Sequence, residues 1–258
     1  MTERRKDILF VFIMAAFLSW LPGRSCAQIG EHRDDLAVGG GAGVVFSSVG
    51  FKPKVPQGMH MGPTFGVVGR YVCEKYYTMI CSVVGEVNFA SVGWKEDIRD
   101  KRDNKVVNAL TGKPEEYSRT ISYVQVPVFA HLAWGNEVSG CNFFFQAGPQ
   151  IGFYLGESTS KNFDLDNINM TDRSNSVTRQ YTMDVEKTFD YGIAGGLGVE
   201  YSRPRLGHFL IEGRYYYGLG NIYGATKRDY FGVSNFSNIS IRLTYLFDLK
   251  TTKGVARK

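Results

Sequence analysis

The sequence predicts an all-β protein: an eight-stranded antiparallel up-and-down transmembrane β-barrel with short periplasmic turns and long extracellular loops. Three observations predict it: eight segments in which alternate residues are apolar, connections that alternate between short and long, and an N-terminal export signal. Composition agrees, with 30 Gly, 18 Phe and 15 Tyr against 3 Trp and 8 Pro in 258 residues. Glycine and aromatic enrichment suits strands and turns more than a helical bundle.

The export signal comes first along the chain. Arg4, Arg5 and Lys6 precede an apolar run from Ile8 to Leu21, and Ser25-Cys26-Ala27 supplies small residues before Gln28. That order marks a secretory signal cleaved after residue 27. The run is also shorter than the roughly 20 residues a spanning helix needs. The charge at Arg24 disfavours a lipid anchor on Cys26. Residues 28–258 then form one outer-membrane β-barrel domain, with strands between about 36 and 249 and a polar tail over 250–258. Cleavage removes four basic and two acidic residues and leaves a net charge of +3, which makes no electrostatic case for nucleic acid.

Period-two alternation argues strands, because successive side chains point to opposite faces. The first segment, Leu36–Ser47, sets Leu36, Val38, Val44 and Phe46 against Gly39, Gly41 and Gly43. The second, Met61–Cys73, sets Phe65, Val67 and Tyr71 against Thr64, Gly66 and Arg70. In the third, Tyr77–Ser91, Tyr77, Met79, Cys81, Val83, Val87 and Phe89 oppose Ser82, Glu86 and Asn88. The fourth, "ISYVQVPVFAHLAW" at 121–134, places Val124, Val126, Val128, Ala130, Leu132 and Trp134 opposite Gln125, Pro127, Phe129 and His131. Pro127 cannot donate to a ladder, so a bulge or kink is expected there.

The fifth, Phe143–Leu155, opposes phenylalanines to Gln146, Gly148, Gln150 and Gly152. The sixth, Phe189–Tyr201, opposes Tyr191, Ile193, Leu197 and Val199 to Gly192, Ala194, Gly196, Gly198 and Glu200. The seventh, His208–Gly218, sets Phe209, Ile211, Tyr215 and Tyr217 against His208, Glu212 and Arg214. The eighth, Phe236–Leu249, sets Ile239, Ile241, Leu243, Tyr245 and Phe247 against Asn238, Ser240, Arg242 and Thr244.

Connections at 74–76, 135–142 and 202–207 are short, whereas 48–60, 92–120, 156–188 and 219–235 are long. Outer-membrane barrels have this arrangement, with both termini in the periplasm. In a soluble sandwich the polar faces would be rich in Lys and Glu. Here they carry Gly, Ala, Ser and Gln and no Lys, which suits a crowded interior. Tyr77, Trp134, Tyr191, Tyr201 and Tyr245 stand at segment ends as an aromatic girdle would.

Eight strands leave an interior just wide enough for side chains. The inward ionisable residues are Arg70, Glu86, Glu200, Glu212, Arg214 and Arg242, three carboxylates and three guanidiniums, which predicts an internal salt-bridge plug instead of a pore. The glycines of the first and sixth segments are expected to give the arginines room. His60, His131 and His208 sit in no motif that brings a serine and a carboxylate within reach, so no enzymatic activity is expected. No cofactor or metal is expected either: "DLDNIN" at 164–169 lacks the glycine and glutamate of a calcium loop, having Asn169 and Asn175 instead. The charged run "WKEDIRDKRDNK" at 94–105 reads as a solvated loop face. Cys73, Cys81 and Cys141 remain after cleavage. Cys73 and Cys81 flank a turn closely enough to bridge, although small apolar strand residues are the favoured reading.

"GVVFSSVGFKP", "YVCEKYYTMICSVVGEVNFASVGWKE", "YVQVPVFAHL" and "ISIRLTYLFDL" together resemble the PorT-like family of outer-membrane β-barrels in Bacteroidota, over roughly 36–249. The resemblance implies an outer-membrane barrel without enzymatic activity or cofactor and an accessory role in type IX protein secretion. It supplies no functional residue to carry over. Implied partners are outer-membrane lipid and lipopolysaccharide, the barrel-assembly machinery and other type IX components. The alternative is a structural or surface-interaction barrel of OmpA-like or OmpX-like type acting through its loops; a lipid-modifying enzyme comes third. The tail "KTTKGVARK" departs from the family habit of ending on an aromatic or apolar strand residue, leaving Phe247 and Leu249 to serve.

Overall fold

Most strands run further than their apolar pattern, because the alternation continues where the outer face turns polar. The computed structural model describes residues 30–108, 111–136, 139–164, 172–224 and 229–252. The signal region 1–27 and tail residues 253–258 lie outside the described residues, as do 165–169 of the "DLDNIN" run.

The strands are β1 (Glu31–Lys52), β2 (Gln57–Gly58), β3 (His60–Tyr76), β4 (Met79–Glu96), β5 (Tyr117–Gly135), β6 (Gly140–Lys161), β7 (Phe189–Arg203), β8 (Gly207–Gly218) and β9 (Val233–Lys250). β2 is a two-residue outrider paired to Lys95 and Glu96 of β4. The other eight form a ring in the order β4-β3-β1-β9-β8-β7-β6-β5, closed by the β4–β5 pairing. Closure joins the first and last strands through a long ladder, from Leu36↔Lys250 to Lys52↔Val233. A closed ring has no free edge, so its backbone groups are paired within the wall. Among the described residues no helix is long and apolar enough to cross a membrane.

The two rims differ as the connections predict. Residues 77–78 and 204–206 make short turns, β5 and β6 are joined by a similarly short connection, and the chain enters and leaves the ring on that side. Residues 53–59, 97–116, 162–188 and 219–232 connect strands at the opposite rim. All four of these long loops are shorter than expected, the last because β9 begins at Val233. β1 and β3 still pair at Ser47↔His60, β4 and β5 pair out to Glu96↔Tyr117, and β5 and β6 out to Tyr117↔Lys161. Outward residues of these extensions, such as Ser118, Thr120, Ser158 and Ser160, are small and polar, so the apolar stripe that marks a membrane strand is missing there.

Two local expectations are corrected. Tyr77 is not the first residue of a strand but the first residue of the β3–β4 turn, at φ 52° and 78% exposed. Pro127 makes no bulge. The β4–β5 ladder lapses between Gly85↔Val128 and Asn88↔Gln125, the β5–β6 ladder lapses between Pro127↔Gln150 and Ala130↔Ala147, and each resumes in the same register. The register shift in β5 falls instead at Ser122/Tyr123. A proline lacks only its own N–H, and Pro127 faces inward among packed side chains, so the ladder skips the donor without an inserted residue.

The outer face carries exposed Val38, Phe65, Val67, Val87, Val128, Phe145, Ile193, Leu197, Ile211, Ile241 and Leu243. Water would not tolerate so continuous an apolar belt, whereas lipid does. Inside, Phe129, Phe144, Tyr123, Tyr216 and Phe236 are buried, bulkier than the small-residue interior read from the sequence. Glycine makes the room: a Cβ on Gly198 would stand 2.6 Å from the Phe144 ring, and one on Gly41 2.9 Å from an Arg242 guanidinium nitrogen.

Ring closure predicts heat-modifiable migration in detergent gels, with unheated and boiled protein running differently. A Cβ at Gly39 would stand 1.8 Å from the Tyr245 carbonyl oxygen across the β1–β9 seam. Gly39→Val is therefore expected to abolish the compact unheated band, while Gly58→Val, where a Cβ meets nothing within 4 Å, keeps it.

Candidate functional site in the barrel lumen and crown

Alternation on β4, β8 and β9 turns Glu86, Glu212, Arg214 and Arg242 inward at one level. Arg214 donates to both oxygens of Glu86 at 2.8 and 3.0 Å and to Glu212 at 2.7 Å. Arg242 pairs with Glu86 at 3.2 Å and with Glu212 at 3.5 Å, and donates to Asn88 Oδ1 at 3.0 Å. Two carboxylates thus share two guanidiniums, and the Arg214 guanidinium lies 4.5 Å over the Phe129 ring. All four are at most 5% exposed, and charges so buried are stable only when paired and hydrogen-bonded.

Arg70 and Glu200 make a second cluster nearer the short-turn rim, with Arg70 donating at 2.8 Å to both Glu200 oxygens. The six residues singled out by charge and parity therefore meet as two groups. Gln146 stands between the groups: its amide nitrogen donates to Glu212 and its oxygen lies 3.3 Å from His131 Nδ1. A carboxylate only accepts, so the amide orientation is fixed and His131 Nδ1 is the donor. Asn88 and Gln146 escape a search for charges, but their inward parity marks them.

The histidines correct one expectation. His208 has both a serine and carboxylates within reach: Nδ1 lies 2.8 Å from Ser202 Oγ and 2.6 Å from Glu200 Oε1, and Nε2 lies 2.9 Å from Asp248 Oδ1. The antiparallel ladder pairs Ser202 with His208 directly, a contact between strands invisible in linear spacing. Both ring nitrogens face carboxylate oxygens, and Ser202 Oγ shares the Nδ1 side with Glu200. Ser202 Oγ itself donates to Glu200 at 3.1 Å. The cluster is a clamp tying β7, β8 and β9 together. His60 meets only Thr120, at 2.8 Å.

Below these groups a polar cavity of about 1120 Å³ reaches the short-turn rim, lined by Arg70, His131, Glu200, Ser202, His208 and Asp248. His131 Nε2 and Arg70 Nε face this region without a protein partner, the kind of buried polar atom that ordered water satisfies. Among the described residues no group of three or more His, Cys, Asp or Glu converges to hold a metal ion.

The opposite rim carries a crown with its own core, which corrects the reading of 94–105 as a wholly solvated face. Trp94, Glu96 and Ile98 are buried, whereas Lys95 and the tip Lys101–Lys105 are exposed. Phe51 packs on Trp94 at 5.2 Å and on Phe231 at 4.9 Å, with Tyr223 stacked 5.6 Å from Phe231. Arg119 holds Glu157 at 2.6 and 2.8 Å, donates to the carbonyls of Gln180 and Met183, and reaches the Tyr223 hydroxyl at 3.2 Å. Arg173 holds Glu115 at 2.6 Å and Tyr181 at 2.8 Å, and lies 4.8 Å over Phe163. Burial raises the Tyr181 pKa, which keeps its hydroxyl neutral as a donor to Glu96. Loop 172–187 is thus pinned across the mouth by Arg119 of β5 and by its own Arg173, which reaches Glu115 beside the start of β5.

Outside, the aromatic positions separate along the barrel axis. Trp134 stacks on Phe143 at 6.4 Å, and Tyr201 pairs with Phe209, whose ring is 4.9 Å from Tyr245, all toward the short-turn rim. Tyr77 lies further out, in the turn. Tyr191 sits at the other level, beside Phe189 at 6.1 Å. Tyr245 donates to the Leu206 carbonyl at 2.8 Å, the amphipathic use of tyrosine expected at an interface.

A closed antiparallel ring with an apolar outer belt and a packed, charge-paired lumen is a transmembrane β-barrel of the outer-membrane class. Residues 26–224 match the family described as outer membrane protein beta-barrel domain, and the chain belongs to that family. Among solved structures it is similar to Ail, the attachment invasion locus protein of Yersinia pestis, at 13% identity and TM-score 0.34 over 84% of this chain and 99% of that one. OprG of Pseudomonas aeruginosa is 12% identical, TM-score 0.41, over 85% and 96%. Neisserial surface protein A is 11% identical, TM-score 0.37, over 82% and 97%. A search of curated proteins finds no match.

Arg214→Met leaves Glu86 and Glu212 short of a shared partner while keeping bulk over Phe129. Loss of about 3–5 kcal/mol is expected, the usual cost of breaking a buried pair from one side. Urea unfolding in lipid vesicles followed by tryptophan fluorescence measures it. Adding Glu86→Gln to Arg214→Met should recover part of the loss.

Proposed function

We propose that the protein is a non-conducting, non-enzymatic outer-membrane barrel that works by presenting its long-loop crown outside the cell, with the short-turn rim and both chain ends in the periplasm. The observation that carries this reading is the crown's own buried core, held by Arg119 and Arg173. Loops that only connect strands need no such core, whereas a recognition surface gains from being preorganised. The two lumenal charge clusters support the non-conducting part. Outer-membrane lipid, lipopolysaccharide and the assembly machinery are the expected partners, and the two aromatic levels would mark the membrane interfaces.

A second reading keeps the type IX accessory role implied by the PorT-like resemblance. The mixed-charge cavity at the short-turn rim favours it, since that is the face a periplasmic component would meet.

The exposed tip of the 97–116 loop separates the two. Replacing Lys101–Asn104 by Gly-Ser should leave the fold and the Arg119 and Arg173 anchors intact but remove cell-surface binding. Deleting the protein in its native host should leave export of cargo with C-terminal sorting domains unchanged; loss of that export establishes the secretion role instead. In planar bilayers the purified barrel is expected to show no steady conductance steps, and regular open-channel steps would defeat the non-conducting reading.

A further inference from the structure

The β3–β4 hairpin contains an irregularity at a pair of cysteines. Its ladder runs Tyr71↔Val83 and Val72↔Ser82, then Glu74↔Cys81 and Lys75↔Ile80, with a register shift between Val72 and Glu74. Cys73 is the extra residue of a β-bulge, so Cys73 and Glu74 together oppose Cys81. Without the bulge, Cys73 would face Cys81 directly. Directly opposed residues have Cα atoms about 4.5–5.5 Å apart, within the roughly 4.4–6.8 Å that disulfides span. Alternation also puts both side chains on the same face, with Tyr71 and Val83.

Both cysteines are half-buried and unbridged in the structure. Cys141, the other described cysteine, is exposed on β6, which β5 separates from β4. The site lies a few residues from the Tyr77–Thr78 turn, on the short-turn side of the wall.

We propose that Cys73 and Cys81 form a disulfide after export, a covalent staple across the bulge of the β3–β4 hairpin. The bond forms by thiol–disulfide exchange with an exported dithiol–disulfide oxidant. One cysteine thiolate attacks the oxidant's disulfide, the other displaces it from the mixed disulfide, and the oxidant leaves as its dithiol carrying both hydrogens. Export places the chain where such oxidants keep disulfides formed. The staple sits where the ladder has lost a pairing, so it restores a cross-strand tie that the bulge removed.

Trypsin tests it directly, because Arg70, Lys75 and Lys95 place the two cysteines on separate peptides, 71–75 and 76–95. Protein from the native host's outer membrane is acid-quenched, denatured, alkylated without reductant and digested. The expected product is a single joined species that reductant splits into the two peptides. Separately alkylated 71–75 and 76–95 in the unreduced digest overturn the proposal, as does either peptide joined to the one carrying Cys141. In the Cys73→Ser variant, 76–95 should appear alone and alkylated while the unheated gel band persists. If that variant does not fold, the wild-type map still decides.

Discussion

Closure of β1 against β9 is the constraint on which everything else depends. In lipid an unpaired backbone N–H or C=O costs several kcal/mol, so a sheet can enter a membrane only when it has no edge. The ladder from Leu36↔Lys250 to Lys52↔Val233 removes the last edge, and glycines at 39, 41 and 43 let the two strands and the Arg242 side chain approach. Once the ring is closed, the parity of every strand is fixed: one face meets lipid and the other meets seven further inward faces. The apolar belt and the lumen's crowding are both consequences of that closure.

A lumen this narrow cannot hydrate the ions that parity turns into it. Glu86, Glu212, Arg214 and Arg242 are compatible with burial because each carboxylate meets two guanidiniums, and because Asn88 accepts from Arg242 and Gln146 donates to Glu212. Arg70 and Glu200 pair through the Arg70 terminal nitrogen, with His208 and Ser202 also contacting the carboxylate. The resulting cross-section is a polar column wedged between aromatic layers of Phe129, Phe144, Tyr123 and Tyr216. Such an interior holds the wall rigid and leaves recognition to the rims.

Those rims are built differently. Above the belt the strands continue with small polar outward residues, and their inward residues, Phe51, Trp94, Tyr117 and Arg119, meet the returning loops 172–187 and 219–232. The crown is therefore an extension of the barrel core into water. Among the described residues the short-turn rim has no such cover, and its cavity opens onto the His208 clamp.

The wall was legible from the sequence because side-chain parity is a local property of an extended chain. Each of the eight alternating runs appears as a strand, and the alternation of short and long connections appears as two unlike rims. Tyr77 was misplaced because turn and strand residues look alike at a hairpin tip, and Pro127 because missing one donor was taken to require an extra residue. Parity also selected Arg70, Glu86, Glu200, Glu212, Arg214 and Arg242 as inward. It could not say which of them touch, since contacts across a lumen depend on the tilt and stagger of the closed ring. The same reason hid the His208 clamp, the bulge at Cys73, and the crown core formed by Trp94, Tyr223 and Phe231. The sequence by itself determined which face of each strand meets lipid; only the closed tertiary structure decided which inward residues meet one another, because that depends on register around the whole ring.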